Sequence, residues 1–146
     1  MQIIVDNDKR DDIITEEPAP ELKEISDCIF GRNNPVKDIT IVYGGTLRDE
    51  YFESGKTRRL VLLLDRTGRA KKVNDEEAYR LEEALFPHCE SNDPHIIALG
   101  RLSSARVLCT DDSQLENDFT NPDLLDPPGS IYKNQEDHRH LIVEDA

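Results

Sequence analysis

The stretch 91-SNDPHIIALGRLSSARVLCTDD-112 decides the fold, because it encodes a buried helix followed closely by a buried strand. Its apolar residues over 93–104 recur at the spacing of one helix face, and the proline near its start suits a first helical turn. Residues 106–109 form a short apolar run that is typical of a buried strand. An acidic residue lies at each end of this unit: Asp93 where the chain enters the core, and Asp112 where it leaves.

Strands and helices alternate along the rest of the chain. Apolar runs predict strands over 2–5 and 38–45, and spacings of three and four residues predict helices over 20–30, 46–52 and 75–86. Residues 57–66 fit a helix or a strand, of which we favour the helix; residues 70–74 fit a short strand or a linker, and residues 130–132 fit an edge strand. This order predicts an α/β fold, a three-layer α/β/α sandwich around a mainly parallel sheet.

Length and composition predict one soluble domain over residues 1–146, with an acidic, partly peripheral segment from about residue 121. No apolar run approaches the length of a membrane span, and the first apolar stretch is too short for a signal peptide. The three cysteines, Cys28, Cys89 and Cys109, are widely spaced and form no CxxC pair. We therefore expect reduced thiols, a cytoplasmic location and no contact with a membrane.

The net charge of −13 argues against a surface that binds nucleic acid everywhere, because phosphate binding depends mainly on lysine and arginine. The charge is uneven, since residues 48–72 hold eight basic against four acidic residues, whereas residues 111–146 hold two against ten. One face of the protein is therefore expected to be basic. A simpler explanation of both regions is that they are solvated surface.

Acidic residues lie where several predicted strands end, and ligands of open α/β sheets bind at the carboxyl ends of the strands. The candidates are Asp6 and Asp8 after the first strand, Glu50 after the second, Asp111 and Asp112 after the strand at 106–109, and Asp93 at the start of the preceding helix. Carboxylates gathered at one edge repel one another unless a divalent cation neutralises them. The pattern predicts a Mg²⁺ or Mn²⁺ site.

Several segments together resemble the PIN-domain superfamily. They are IIVDND at 3–8, VYGGTLRDEY at 42–51, the stretch at 91–112, LENDF at 115–119 and GSIY at 129–132. The likeness spans nearly the whole chain, and residues 91–119 are its most specific part. It is closest to bacterial single-domain PIN-like proteins related to the toxins of toxin–antitoxin pairs.

The resemblance implies an α/β/α sandwich with the activity of a Mg²⁺- or Mn²⁺-dependent endoribonuclease. Its catalytic and metal-binding residues would be Asp6, Glu50, Asp93 and Asp112, with Asp8 and Asp111 as further metal ligands and Thr110 as a substrate contact. The bound metal would generate a hydroxide nucleophile, and the products would carry a 5′-phosphate and a 3′-hydroxyl. The partners that it implies are RNA, an antitoxin-like protein and a second copy of the chain in a homodimer.

Basic residues that flank Glu50 are candidate contacts to substrate phosphates. They are Arg48, Lys56, Arg58 and Arg59, and the backbone N–H groups after Gly44 and Gly45 could approach a phosphate as well. The GKT at 55–57 lacks the glycine that a phosphate-binding loop needs five positions earlier. His88, His95, His138 and His140 lack the spacing of a zinc site and are predicted to be surface residues.

Each candidate acid also has a simpler explanation. Asp93 could only cap its helix, Asp6 could only form a turn at the strand end, and Glu50 could lie on a solvated helix face. The chain also departs from the PIN pattern at two positions. Asp8 stands where the superfamily often has Asn or Ser, and Gly100 stands where the resemblance predicts alanine.

Two other functions compete with the nuclease. A catalytically degenerate PIN-like module could bind a protein partner through TRRLVLLL at 57–64, although those leucines also suit a core. A receiver-like signalling domain also places an acidic metal pocket on an α/β sheet. It needs an acceptor aspartate at the end of a middle strand, where this chain has VYGG, and we place it behind the other two.

Overall fold

The computed structural model describes residues 1–143, and residues 144–146, which end the acidic segment, lie outside the described part. The strands are β1 (Gln2–Val5), β2 (Thr40–Tyr43), β3 (Ala70–Lys72), β4 (Val107–Cys109) and β5 (Ser130–Ile131). They form one sheet in the order β3-β2-β1-β4-β5, and each neighbouring pair is parallel.

Helices flank this sheet in two groups. The α-helices within the described residues are α1 (Arg10–Ile13), α2 (Lys23–Phe30), α3 (Gly45–Phe52), α4 (Gly55–Arg66), α5 (Asp75–Leu85), α6 (Pro94–Arg101), α7 (Ser113–Phe119) and α8 (Gln135–His138). Helix α3 contacts α4, α5 and α6, and α6 also contacts α7 and β1, whereas α2 contacts α1 and α8. The predicted α/β/α sandwich is confirmed, and the predicted mainly parallel sheet is parallel throughout.

The core is centred on β1. Ile3, Ile4 and Val5 have no exposed surface, and neither do Ile41 and Leu108 on the strands beside them. Strands covered by helices on both faces are built from continuous apolar runs of this kind, because neither set of alternating side chains reaches water. The core therefore fixes where the polar ends of the strands emerge.

The order of the strands places two polar loops side by side. From β1 the chain adds β2 and β3 on one side, and later adds β4 and β5 on the other. Val5 at the end of β1 is in register with Cys109 at the end of β4, so the loops after both strands leave the sheet together. In open α/β sheets, the crevice at such a switch point is where ligands bind.

Most predicted elements are confirmed, with adjusted ends. Residues 57–66 belong to helix α4, and the short strand predicted within 70–74 is β3. The helix predicted over 93–104 ends at Arg101, and the strand predicted over 38–45 is limited to β2. Within the described residues, no helix has both the length and the apolar character that crossing a bilayer requires.

Candidate metal centre

Asp6 and Thr110 join the two loops at the switch point. The Asp6 backbone N–H donates to the Cys109 carbonyl at 2.9 Å, which continues the pairing of β1 and β4 past the strand ends. The Asp6 carboxylate is only 5% exposed and accepts hydrogen bonds from the Thr110 hydroxyl at 2.7 Å and the Asn7 N–H at 2.8 Å. A buried carboxylate thus stands at the mouth of the crevice, held in one orientation.

The surroundings of Asp6 disfavour its charged form. Burial is the main cause that raises the pKa of Asp6, which reaches about 7. The hydrogen bond from Thr110 lowers this pKa, whereas the charges of Asp8 and Asp93 raise it further. A turn residue at a strand end is ordinarily solvated and needs no such environment. The simple turn explanation therefore accounts for the Asn7 contact but not for the burial of this carboxylate.

Asp93 stands at the N-cap position of α6, but its side chain forms no capping hydrogen bond. Burial raises the pKa of Asp93, the charges of Asp112 and Glu50 raise it further, and His95 opposes them. The close approach of the Asp112 carboxyl acts in the same direction as burial on the pKa of Asp93. Helix capping therefore does not explain Asp93, whose surroundings are set mainly by other acids.

Asp112 does cap a helix. Its Oδ1 accepts from the N–H groups of Gln114 at 2.9 Å and Leu115 at 3.2 Å at the start of α7. The Thr110 hydroxyl, which donates to Asp6, accepts from the Asp112 N–H at 3.1 Å. Thr110 therefore links the loop of Asp112 to Asp6. The Thr110 hydroxyl was predicted to contact substrate, but it is buried and hydrogen-bonded within the protein.

Glu50, the fourth candidate acid of the site, lies beside His95. His95 Nε2 lies 2.9 Å from Glu50 Oε1, and His95 Nδ1 lies 4.0 Å from Asp93 Oδ1. Both atoms are buried, and neither has a hydrogen-bond partner apart from this contact. Burial lowers the pKa of His95, but Glu50 and then Asp93 outweigh it, and the net shift is upward. His95 is 4% exposed, so its prediction as a surface histidine is wrong.

We call Asp6, Glu50, Asp93 and Asp112 the acid cluster. Among the ion pairs formed within residues 1–143, none joins a lysine or arginine to any of these four carboxylates; His95 is the one basic partner. In this part of the chain, no three His, Cys, Asp or Glu side chains are arranged closely enough to enclose a metal ion as they stand. The charge of Asp93 raises the pKa of Asp6, and the charges of Asp112 and Glu50 raise the pKa of Asp93, but the four acids are not closed into a coordination sphere.

Asp8 and Asp111 lie at the solvent side of the cluster. Asp8 Oδ2 accepts from the Asp111 N–H at 3.0 Å and so ties the first loop to the last one. The Asp111 carboxylate accepts from Lys9 Nζ at 3.2 Å and is mostly exposed. The neighbouring acids Asp111 and Asp112 therefore differ, because only Asp112 interacts with Asp93.

The basic residues predicted to bind phosphate make their contacts elsewhere. Arg48 pairs with Asp49 and Asp75, Lys56 donates to Thr15, Arg58 lies over the ring of Phe52, and Arg59 faces Glu16. The backbone N–H groups of Gly45 and Thr46 are occupied as well, since they donate to Asp75 and Glu82. The start of α3 is therefore capped by α5 rather than open to a phosphate.

Two other cations lie beside the cluster and were missed in the sequence. Arg10 Nη1 donates to the Glu50 carbonyl and to Asn7 Oδ1, both at 2.9 Å. Lys133 Nζ donates to the Thr110 carbonyl at 2.8 Å and pairs with Glu116 at 3.0 Å. Lys133 follows β5, so the rule that ligands meet at the carboxyl ends of strands could have found it.

No protein-family model, no curated protein and no solved structure matches this chain. The likeness to PIN domains therefore depends on the sequence segments that carry it.

Proposed function

We propose that this protein is a Mg²⁺- or Mn²⁺-dependent endoribonuclease whose metal site is the acid cluster. The observation that carries the proposal is a set of half-buried and buried carboxylates at the switch point, with raised pKa values at Asp6 and Asp93 and no lysine or arginine paired with them in the described part of the chain. Such strongly perturbed groups in a crevice mark functional sites more often than structural ones.

The donor set fits the proposed ion. Carboxylate oxygens are the ligands that Mg²⁺ and Mn²⁺ prefer, and a divalent cation would relieve the repulsion between Asp93 and its acidic neighbours. When bound, the ion would lower the pKa of a water molecule and neutralise charge on the attacked phosphodiester. Asp6, Asp93, Asp112 and Glu50 would hold it, with Asp8 at the rim.

The surrounding residues set the orientation of these acids. Thr110 holds Asp6, His95 lies between Glu50 and Asp93, and the caps of α7 hold one oxygen of Asp112. Arg10 and Lys133 place positive charge beside the acids without ion-pairing to them, which suits contacts to the backbone of RNA. We extend the proposal to a cytoplasmic location and an antitoxin-like partner, which the free thiols of the three cysteines and the PIN likeness support.

Calorimetric titration with Mn²⁺ tests the metal site before any substrate is known. The parent protein is expected to bind about one or two ions, and Asp93→Asn to lose that binding while it stays folded. Asp123→Asn removes an exposed acid outside the cluster and is the matched control, which should bind like the parent. Absence of binding by a folded parent protein would exclude the metal site.

Cleavage of RNA is the second step. Mixed-sequence single-stranded RNA is incubated with the parent or with Asp93→Asn in Mn²⁺, and the products are tested for 5′-phosphates. Cleavage by the parent alone supports the nuclease. Metal binding without cleavage of any RNA in the mixture favours the degenerate interaction module instead, for which the half-exposed Leu62 and Leu63 on α4 already argue.

A further inference from the structure

A groove of about 440 Å³ lies on the outer face of α5, outside the acid cluster. Its lining residues are Tyr79, Glu82, Glu83 and Phe86, together with Pro94 at the start of α6. The first four follow one another at spacings of three and four residues, which places them on one face of a helix. We call this surface the aromatic groove.

Two exposed aromatic rings line the groove. Phe86 is 61% exposed and is the most exposed large apolar side chain in the described part of the chain. Tyr79 is 37% exposed, and its hydroxyl donates to Asp49, which leaves the ring itself open to a ligand. Exposed rings that share one groove offer a surface on which a flat, aromatic ligand can stack.

The aromatic groove lies next to the acid cluster. Pro94 directly follows Asp93, so their Cα atoms are about 3.8 Å apart. On the other side, Glu82 accepts hydrogen bonds from the Thr46 N–H at 3.1 Å and the Thr46 hydroxyl at 2.8 Å. Thr46 lies one turn before Glu50 on the same face of α3. A ligand held at the acid cluster can therefore extend directly into the groove.

The charge of the groove excludes a phosphate. Its lining contains two carboxylates and, among the described residues, no lysine or arginine. Both oxygens of Glu82 accept from Thr46, whereas Glu83 is exposed. Arg80, one turn before Glu83, pairs with Glu76 at 3.6 Å instead. Glu83 is therefore a free acceptor at the rim, and it suits a ligand that presents N–H donors.

Guanine is the nucleobase that matches this chemistry. Its Watson–Crick edge presents two adjacent donors, N1–H and the 2-amino group, and a carboxylate can accept from both at once. Adenine and cytosine each present one amino group beside an acceptor nitrogen, and uracil presents one N–H between two carbonyls. Each of these bases would bring an acceptor close to the carboxylate. Unpaired bases are the ones whose faces and edges a protein can read in this way.

We propose that the aromatic groove binds an unpaired guanine of the RNA substrate, next to the phosphodiester that lies at the acid cluster. This inference rests on the proposed nuclease function. The guanine stacks on the rings of Phe86 and Tyr79 and donates two hydrogen bonds to Glu83. Its phosphate stays at the metal centre, away from the acids of the groove. Cleavage therefore occurs beside unpaired guanines.

Titration with mononucleotides tests the groove without any metal or cleavage. GMP, AMP, CMP and UMP are added separately to ¹⁵N-labelled protein in chelator, and amide shifts are followed by NMR. GMP is expected to shift the amides of residues 79–86 with a dissociation constant of about 1 mM, and UMP to bind at least about fivefold more weakly.

Four variants assign the contacts. Phe86→Ala and Glu83→Gln are each expected to weaken GMP binding at least about fivefold, and Glu83→Gln should also abolish the preference for GMP over UMP. Leu63→Ala and Glu77→Gln change exposed residues outside the groove and should bind GMP like the parent. Circular dichroism checks that every variant is folded.

Cleavage then tests whether the groove serves the substrate. A short RNA with one guanine among uridines is compared with an all-uridine RNA in Mn²⁺. The parent should cleave the first at least about tenfold faster, and Glu83→Gln should cleave both at similar rates.

The two experiments separate the possible failures. No GMP binding at about 10 mM overturns the guanine site, whatever the metal centre does. GMP binding combined with equal cleavage of both RNAs overturns its role in substrate choice. A parent protein that cleaves no RNA overturns the nuclease and with it the substrate role, whereas the titration in chelator still decides whether the groove holds guanine.

Discussion

Asp6 is the residue at which the pH dependence of folding is most readily tested. Burial and the charges of Asp8 and Asp93 raise the pKa of Asp6 from an ordinary value near 3.8 to about 7 in the folded protein. The folded state therefore binds a proton more tightly than the unfolded chain does. Its stability falls as the pH rises from about 4 to about 7, and this contribution is constant above that window.

Replacing Asp6 with asparagine is expected to stabilise the protein at pH 8 and to change little at pH 4. Asparagine keeps an acceptor for Asn7 and a partner for Thr110, but it removes the charge whose burial is unfavourable. The gain at pH 8 is expected to be about 1 to 3 kcal/mol, because one pKa unit corresponds to about 1.4 kcal/mol. Urea unfolding of both proteins in chelator measures it, and equal stability at pH 8 would contradict the pKa shift.

His95 is expected to matter for metal binding although it is not one of the predicted ligands. It contacts Glu50 at 2.9 Å and approaches Asp93 from the other side of its ring, so it holds two of the acids apart. His95→Gln should weaken Mn²⁺ affinity by about 10- to 100-fold, the usual effect of losing a residue that orients ligands. The control His88→Gln changes an exposed histidine. Unchanged Mn²⁺ affinity in a folded His95→Gln would remove His95 from this role.

At the scale of elements, Gly129 allows the chain before β5 to approach α7. Its N–H donates to the Phe119 carbonyl at 2.9 Å, and a Cβ at this position would lie 2.1 Å from the buried Phe119 ring. Gly129→Ala is therefore expected to lower the free energy of unfolding by about 1 to 3 kcal/mol, as overpacking of a core does. Gly55→Ala is the control, because nothing lies within 4 Å of a Cβ there. Equal stability of the two variants in urea unfolding would show that Phe119 can move aside.

Elements with a strong local pattern were predictable from the sequence, and those defined by distant contacts were not. The apolar run of β1 and the acidic first turn of α5 specify their structures locally. Helix α7 was not predicted, because its most evident local signal, the cap by Asp112, was interpreted as a metal ligand. Gly100 departs from the predicted alanine because α6 packs closely there, and a Cβ on Gly100 would lie 3.1 Å from the Leu125 side chain.

The same distinction applies to the candidate site. The rule for strand ends placed all four acids near the switch point, because parallel strands must end at one edge. The rule could not predict where the side chains of Arg48 and the other candidate cations point. Their orientation depends on which helix packs beside α3. His95 carried a usable signal that was overlooked, since it lies between Pro94 and Ile96 in a run of buried residues.

At the scale of the whole molecule, the net charge of −13 opposes folding through self-repulsion. Local ion pairs such as Arg48 with Asp75 act in the opposite direction, but many of the pairs are exposed and contribute little. Repulsion among the excess acids should therefore dominate the response to salt, and screening by added ions should stabilise the protein near neutral pH.

Raising NaCl from about 10 mM to about 500 mM at pH 8, with chelator present to exclude divalent ions, should raise the thermal midpoint by about 3 °C or more. At pH 4.6, the isoelectric point of the sequence, the net charge is close to zero, so net repulsion is largely absent and attraction between opposite charges is what salt mainly screens. The same increase in NaCl should then leave the midpoint unchanged or lower it. A midpoint that rises equally at both pH values would show that salt acts through apolar burial, and the excess acidic charge would then have no measurable influence on the fold.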